Sequence, residues 1–250
     1  MGGALQAAWH APLPPPSWQE PLPSESCRWD LREQACFPYL PVEDQGGDVS
    51  CVAHAFSMAL YCAERNTATT DPLDFPAYRR IFEQALAESP DKNRGVSFEA
   101  VGRALERHYA LRMARLSARY APLPNCAQQV RAALLQGTPV VAGYQVNAAI
   151  DLFHRDKRVC RSVGYLLPRF RSRDVSLTGH AVLLLGYDFR VQSFIARNSW
   201  GRAWGVDGHF LVPFAAVQDE DAFTDLWALR SVPTGPVGPA RLSATLAPWS

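Results

Sequence analysis

The sequence has little net charge and no long apolar run, and both features exclude classes of partner. Its 25 basic and 24 acidic residues leave a formal net charge of +1, which favours no nucleic-acid partner. No stretch approaches the roughly 20 apolar residues of a membrane-spanning helix. The opening residues, MGGALQAAWHAPLPPP, lack the basic start and the apolar core of a secretory signal peptide. We expect a cytoplasmic or intracellular protein without nucleic-acid or membrane partners, although packaging in a particle or unconventional export would leave the same pattern.

The cysteines also lack a pattern. No CxxC pair and no zinc-ligand spacing occurs among Cys27, Cys36, Cys51, Cys62, Cys126 and Cys160. We therefore predict no metal site and no cofactor. A chain of 250 residues buries enough surface to fold without disulfides. Free thiols in a reducing compartment are the expectation, and bridges among Cys27, Cys36, Cys126 and Cys160 remain the secreted alternative.

Composition divides the chain into a proline-rich arm (1–27), a globular part (28–232) and a biased tail (233–250). An almost wholly apolar helix is predicted from Cys51 to about Arg65, with Ser50 as its cap, and Ser97 is predicted to cap a later helix. After Gly137 the pattern changes to short β-branched and aromatic runs, such as TPVVAGYQV and HAVLLLGYDF. The predicted fold class is α+β, with a helical lobe at about 41–125 and a β-rich lobe at about 126–232 plus 28–40.

Cys51 stands where the polar turn PVEDQGGDVS meets the apolar helix. A helix start favours the thiolate, so this cysteine is either packing or a nucleophile. His180 opens a predicted strand, Asn198 lies in ARNSWGRAWG, and Gln45 precedes Cys51 by six residues. A thiol hydrolase needs these residue types, because a thiolate attacks, an imidazole moves the proton, and an amide orients that imidazole. The Gln45 amide and the Cys51 backbone N–H are candidate oxyanion donors.

Three segments of the sequence resemble the papain family (C1) of cysteine peptidases, in its prokaryotic-style, non-secreted branch. They are WDLREQACFPYLPVEDQGGDVSCVAHA, GHAVLLLGYD and FIARNSWGRAWGVDGHFLV. The resemblance implies a two-lobed papain-like fold, in which a helical lobe with a central helix faces an antiparallel β-rich lobe across the active-site cleft. It also implies hydrolysis of peptide bonds in peptide or protein substrates by an endopeptidase.

By the same resemblance, Cys51 is the nucleophile, His180 its base and acid, and Asn198 the orienting amide. Gln45 is the oxyanion donor, and Trp200 shields the His–Asn hydrogen bond. The residues implied to contact substrate are Trp200, Gly179 and Gly95.

Two positions depart from the family pattern. Asp48 replaces a cysteine that forms a disulfide in secreted members, which agrees with a reducing compartment. Val49 replaces a glycine close to the substrate path, so its side chain is expected to narrow the cleft. The proline-rich arm is either a disordered tail or a short propeptide-like segment that lies along the cleft.

Several alternatives stay open from the sequence. A transglutaminase-like acyltransferase would share the chemistry, although its third residue is commonly aspartate, and a catalytically silent scaffold would share the fold. His54, one helical turn after Cys51, is interpreted as a packing or hydrogen-bonding residue. Surface or core positions are expected for His10, His108, His154 and His209. The seven basic residues from Arg155 to Arg173 are interpreted as a solvated loop near the active-site mouth that favours acidic substrates or holds an inhibitory segment, rather than as a nucleic-acid surface.

Overall fold

The computed structural model describes residues 28–34, 42–66, 78–87, 95–108, 118–171 and 173–231. The proline-rich arm, the tail, Cys27, Cys36 and His10 lie outside the described residues. Within the described ranges, no helix is long and apolar enough to cross a membrane. The same ranges contain no group of three or more His, Cys, Asp and Glu side chains arranged to hold a metal ion.

In the described part of the chain, three helices precede most of the sheet: α1 (Cys51–Asn66), α2 (Tyr78–Ala87) and α3 (Phe98–His108). Helix α1 is buried on nearly every side, as predicted from its apolar sequence, and Phe56, Met58 and Leu60 are fully enclosed. The Ser97 hydroxyl accepts the Ala100 N–H at 3.2 Å, which confirms the predicted cap of α3. The predicted Ser50 cap is wrong. Its hydroxyl is buried without a hydrogen-bond partner among the described residues, and its carbonyl accepts the His54 N–H at 3.0 Å.

Among the described residues, seven strands form one antiparallel sheet in the order β2-β7-β3-β4-β5-β6, with β1 paired to the end of β4. The strands are β1 (Arg28–Asp30), β2 (Ala118–Pro122), β3 (Val140–Val146), β4 (Thr178–Asp188), β5 (Ser193–Arg197), β6 (His209–Pro213) and β7 (Phe223–Ser231). The fold is α+β, as the sequence predicts. However, β2 lies in the segment assigned to the helical lobe and pairs with β7, so the sheet takes residues from both predicted lobes.

Shorter helices connect the strands: α4 (Ala127–Leu135), α5 (Ala148–Arg155), α6 (Lys157–Ser162) and α7 (Phe214–Val217). A 3-10 turn covers Leu31–Glu33. The seven basic residues of the stretch from Arg155 to Arg173 all have exposed side chains, as expected of a solvated surface.

Aromatic packing joins α1 and α3 to the sheet. The Phe98 ring lies 5.5 Å from that of Phe56 on α1 and 6.3 Å from that of Trp227 on β7. Gly143 on β3 makes room for this contact, because a Cβ there would come within 2.9 Å of the Phe98 ring. The helices therefore sit in a fixed position against the strands.

The segment before α1 also pairs with the loop after β5. The Gln45 N–H donates to the Ser199 carbonyl at 2.8 Å, and the Gly201 N–H donates to the Glu43 carbonyl at 2.9 Å. Next to this pairing, His54 Nδ1 lies 2.9 Å from Glu43 Oε2, which confirms a hydrogen-bonding role for this buried histidine. These bonds bring the start of α1 to the end of β5.

Candidate active site

Cys51 is the first residue of α1 and is partly buried. Burial raises the pKa of its thiol, while the backbone N–H groups of Ala181, Val52 and Cys51 itself act in the opposite direction. The helix start thus favours the thiolate, as the sequence predicts, but burial outweighs it in the free protein. Since Ala181 directly follows His180, the thiol lies beside the entry of β4. A cavity lined by Cys51, Ala181 and Asn198 joins the same three segments.

His180 is buried on β4, and its Nε2 lies 2.8 Å from Asn198 Oδ1. The same oxygen accepts the Ser199 N–H at 2.8 Å, which fixes the orientation of the amide. Because Asn198 offers an acceptor, Nε2 of His180 carries hydrogen and Nδ1 of the neutral ring carries the lone pair. Burial lowers the pKa of His180 to about 4, against the opposing effect of the Asn198 hydrogen bond. At neutral pH the imidazole is therefore an uncharged base.

Trp200 covers the histidine. Its ring stacks on that of His180 with centroids 4.6 Å apart and an interplanar angle of 29°. Asn198 is only 2% exposed, so the His–Asn bond lies away from water. Hydrogen bonds in such surroundings are stronger than in solvent.

Both polar atoms of the Gln45 side-chain amide form hydrogen bonds. Its Oε1 accepts the Ser199 hydroxyl at 2.5 Å, and its Nε2 donates to the Asp48 carbonyl at 2.5 Å. Since an amide nitrogen carries two hydrogens, the bond to Asp48 leaves a second N–H for an oxyanion. The pairing of Gln45 with Ser199 places this group next to Asn198.

Val49 and Gly95 meet on the helical side of the thiol. The Val49 side chain is 52% exposed, two residues before Cys51. Gly95 has a φ of +84°, and a Cβ on it would lie 3.0 Å from the Val49 carbonyl oxygen. On the sheet side, Gly179 is exposed and precedes His180. Gly95 thus adjoins the segment before Cys51, and Gly179 adjoins His180, while their contact with substrate stays a prediction.

Comparison with known proteins agrees with this architecture. Residues 99–218 match the family model of papain family cysteine proteases. Over this segment the chain is similar to the papain family. The matched segment includes His180 and Asn198, whereas Cys51 and Gln45 precede it and are connected to it by the contacts described above.

Individual proteins are similar to the chain at low sequence identity. A curated peptidase C1-like protein of Acanthamoeba polyphaga mimivirus is 25% identical over 243 residues, which covers 84% of this chain and 76% of that protein. Xylellain, a cysteine protease from Xylella fastidiosa, has a TM-score of 0.63 at 21% identity over 86% of this chain and 91% of its own. The Carica candamarcensis cysteine protease CMS1MS2, in complex with E-64, has a TM-score of 0.55 at 16% identity over 80% and 96%.

Two side chains of this site were not predicted from the sequence. Tyr144 on β3 and His154 on α5 are buried against His180 and hydrogen-bond to each other at 2.9 Å. The sequence pattern predicts only a surface or core position for His154. The alternation of β3 was the one available signal, because pairing of β3 with β4 puts Tyr144 directly opposite His180.

Two of the other described cysteines, Cys126 and Cys160, are free thiols. Cys62 and Cys160 are buried, and Cys126 is partly buried. The bridges left open among Cys126 and Cys160 are therefore absent here, while Cys27 and Cys36 lie outside the described residues.

Proposed function

We propose that this chain is a papain-like endopeptidase that cleaves peptide bonds by nucleophilic catalysis at Cys51. The observation that carries the proposal is the buried His180–Asn198 hydrogen bond, covered by Trp200 and adjoining the thiol at the start of α1. A base that is neutral at working pH and oriented by a third group is what nucleophile activation requires.

The reaction begins with transfer of the Cys51 proton to Nδ1 of His180. The thiolate forms a bond to the carbonyl carbon of the scissile peptide, and the carbonyl electron pair moves to the oxygen. That oxyanion accepts hydrogen bonds from Gln45 Nε2 and from the Cys51 backbone N–H. Collapse breaks the C–N bond as His180 donates its proton to the leaving amine. This leaves a thioester on Cys51.

Water then resolves the thioester. His180 takes a proton from the water, the resulting hydroxide attacks the acyl carbon, and the thiolate leaves with the proton that His180 returns. The products are an amine and a carboxylic acid, and the enzyme regains its starting protonation state. The Asn198 oxygen holds the imidazole plane throughout both halves of the reaction.

Covalent labelling tests the proposal. The neighbour from Carica candamarcensis is a complex with E-64, which makes this epoxysuccinyl compound a suitable thiol probe. Near neutral pH we expect one adduct on Cys51 by mass spectrometry in the wild type and in Cys126→Ala, a control that removes another partly buried free thiol. The adduct should be lost in Cys51→Ala and in His180→Ala. An unlabelled wild type would instead favour a catalytically silent scaffold.

Peptide cleavage tests the reaction class. A peptide blocked at both ends should be cut internally, and the products should be a free acid and a free amine. When a primary amine is added, an acyl–amine adduct as the main product would indicate a transferase and contradict hydrolysis. Both measurements use the full chain.

A further inference from the structure

Aromatic side chains enclose His180 on several sides. Besides the stacked Trp200, the Tyr144 ring lies 5.7 Å away at an interplanar angle of 85°, and the His154 ring lies 5.3 Å away at 61°. Both rings thus meet the catalytic imidazole edge-on. Exposure is 1% for Tyr144, 9% for His154 and 8% for His180, so the three rings share one buried space.

Tyr144 and His154 are joined by a hydrogen bond whose direction can be assigned. The Tyr144 hydroxyl lies 2.9 Å from His154 Nε2. Burial raises the pKa of Tyr144 well above its usual range, and the nearby Cys51 raises it further. Burial lowers the pKa of His154 to about 2, and His180 contributes in the same direction. Both groups are therefore uncharged, and we assign His154 the tautomer with hydrogen on Nδ1, in which Nε2 accepts the hydrogen bond that the phenol donates.

The backbone carbonyl and the ring of His154 make two further contacts. Its carbonyl accepts the Trp204 indole N–H at 3.0 Å. Its ring lies 4.8 Å from that of Trp200, the residue that stacks on His180. A continuous set of contacts therefore runs from Tyr144 through His154 and Trp200 to the catalytic imidazole.

A second imidazole this close to His180 is a competing base. During catalysis His180 carries a proton that it must give to the leaving amine. A neighbouring Nε2 lone pair without a partner would be another acceptor for that proton, and a charged His154 would repel the imidazolium. The Tyr144 hydroxyl occupies that lone pair and so removes the competing acceptor, while burial and the nearby His180 keep His154 uncharged.

We propose that Tyr144 and His154 are positioning residues for His180, since their mutual hydrogen bond keeps an uncharged imidazole fixed against Trp200 and closes its free nitrogen to protons. This inference rests on the proposed role of His180 as the catalytic base. It assigns no direct contact with substrate to either residue.

Other titratable groups adjoin the site, and the variants tested below do not change them. Cys51 faces Tyr144 from α1. Glu43, His54 and Arg197 line the cavity that contains Cys51 and Asn198. Because the variants below leave these groups in place, a changed pH profile reports on the Tyr144–His154 pair.

The experiment measures alkylation of Cys51 by iodoacetamide across pH, together with kcat and KM on a peptide. The variants are Tyr144→Phe, His154→Phe and the double variant. We expect each single change to lower kcat and the alkylation rate by about tenfold, to shift the acid limb of the profile and to leave KM unchanged. The double variant should recover most of the loss, because it leaves neither a competing lone pair nor an unsatisfied buried hydroxyl.

Tyr187→Phe is the matched control, since Tyr187 is a buried tyrosine of β4 whose ring pairs with Phe189 instead of His180. If kcat and the alkylation rate of the single variants equal those of Tyr187→Phe, the two residues only pack in the core and the inference fails. It also fails if the double variant loses as much rate as the two single variants combined. If His154→Phe does not fold, His154→Gln replaces it. Its Oε1 can accept the Tyr144 proton, so near-normal alkylation is expected and a tenfold loss would contradict the inference.

The wild type separates this inference from the proposed function. Rapid alkylation of wild-type Cys51 that His180→Ala abolishes must be observed first. Without it the catalytic proposal itself fails, whereas with it the pair variants test only Tyr144 and His154.

Discussion

Gln45 and Ser199 are joined twice across 154 positions of sequence: the backbone N–H of Gln45 donates to the Ser199 carbonyl at 2.8 Å, and the Ser199 hydroxyl donates to Gln45 Oε1 at 2.5 Å. The residue beside Asn198 therefore orients the amide that we assign to the oxyanion. The segment before α1 and the loop after β5 are thus bonded to each other, and Ser199 holds the Gln45 amide in place.

Removing either partner should lower the rate of the chemical step. Gln45→Ala should reduce kcat by about 10²-fold with little change in KM, because an oxyanion donor acts in the transition state. Ser199→Ala leaves the amide present but less constrained, so a loss of roughly 3- to 10-fold is expected. Steady-state kinetics on one peptide gives both values. Ser193→Ala, which removes another buried serine hydroxyl, should retain normal activity, and a rise in KM alone for Gln45→Ala would contradict the oxyanion role.

Asn198 should act through the charge and orientation of His180. Its hydrogen bond raises the pKa of the imidazole, so Asn198→Ala should lower that pKa further and reduce kcat/KM by about 10²-fold. Asn198→Asp places a negative charge at the same position, so it should raise the pKa of His180 and retain more activity than the alanine variant. The pH dependence of Cys51 alkylation measures both shifts. Equal profiles for the two variants would show that the side chain has no electrostatic effect.

The sequence predicts the parts of the site that depend on local pattern. Helix α1 followed from a run of apolar residues, and the positions of His180 and Asn198 followed from their motifs. The features that the sequence does not predict depend on long-range contacts. A serine before an apolar helix is typical of a cap, but packing around Ser50 buries its hydroxyl. The segment ARYAP becomes strand β2 only by pairing with β7. Local pattern likewise does not show that Tyr144 and His154, from a strand and a separate helix, enclose one imidazole.

Val49 should restrict the cleft. Its exposed side chain lies beside Gly95. Since the papain family usually has glycine at position 49, Val49→Gly should open the path to Cys51. We expect KM for a peptide with bulky side chains next to the scissile bond to fall by about tenfold, with little change in kcat. A peptide with small side chains at those positions is the control and should gain less. An unchanged KM for both peptides would place Val49 outside the substrate path.

Gly95 should tolerate no side chain. Its φ of +84° disfavours other residues, and a Cβ would press on the Val49 carbonyl oxygen at 3.0 Å. Gly95→Ala is expected to cost about 2 kcal/mol of unfolding free energy, measured by urea denaturation. Gly46→Ala is the matched control, because Gly46 has a φ of +59° with no atom within 4 Å of its added Cβ. It should cost about 1 kcal/mol from strain alone, and equal costs at both sites would contradict a steric role for the Val49 carbonyl.

Buried neutral histidines should make the protein sensitive to acid before its carboxylates titrate. Burial lowers the pKa of His180 and of His209 to about 4, while in the unfolded chain a histidine titrates near 6.5. Between these values the unfolded state binds more protons, so the free energy of unfolding falls as pH falls from about 6.5 toward 4. Each such histidine contributes a slope of at most about 1.4 kcal/mol per pH unit.

His209 allows the acid sensitivity to be measured away from Cys51 and His180. Its Nδ1 lies 2.6 Å from the Asp207 carbonyl at the start of β6, and His209→Gln keeps a donor for that oxygen without a titrating group. Urea unfolding at about pH 6.5, 5.5 and 4.5 should show a smaller loss of stability in this variant than in the wild type, by roughly 1 kcal/mol per pH unit. If His209→Gln follows the wild-type slope, the acid sensitivity has another source, because removing a buried neutral histidine must remove its share of the proton uptake on unfolding.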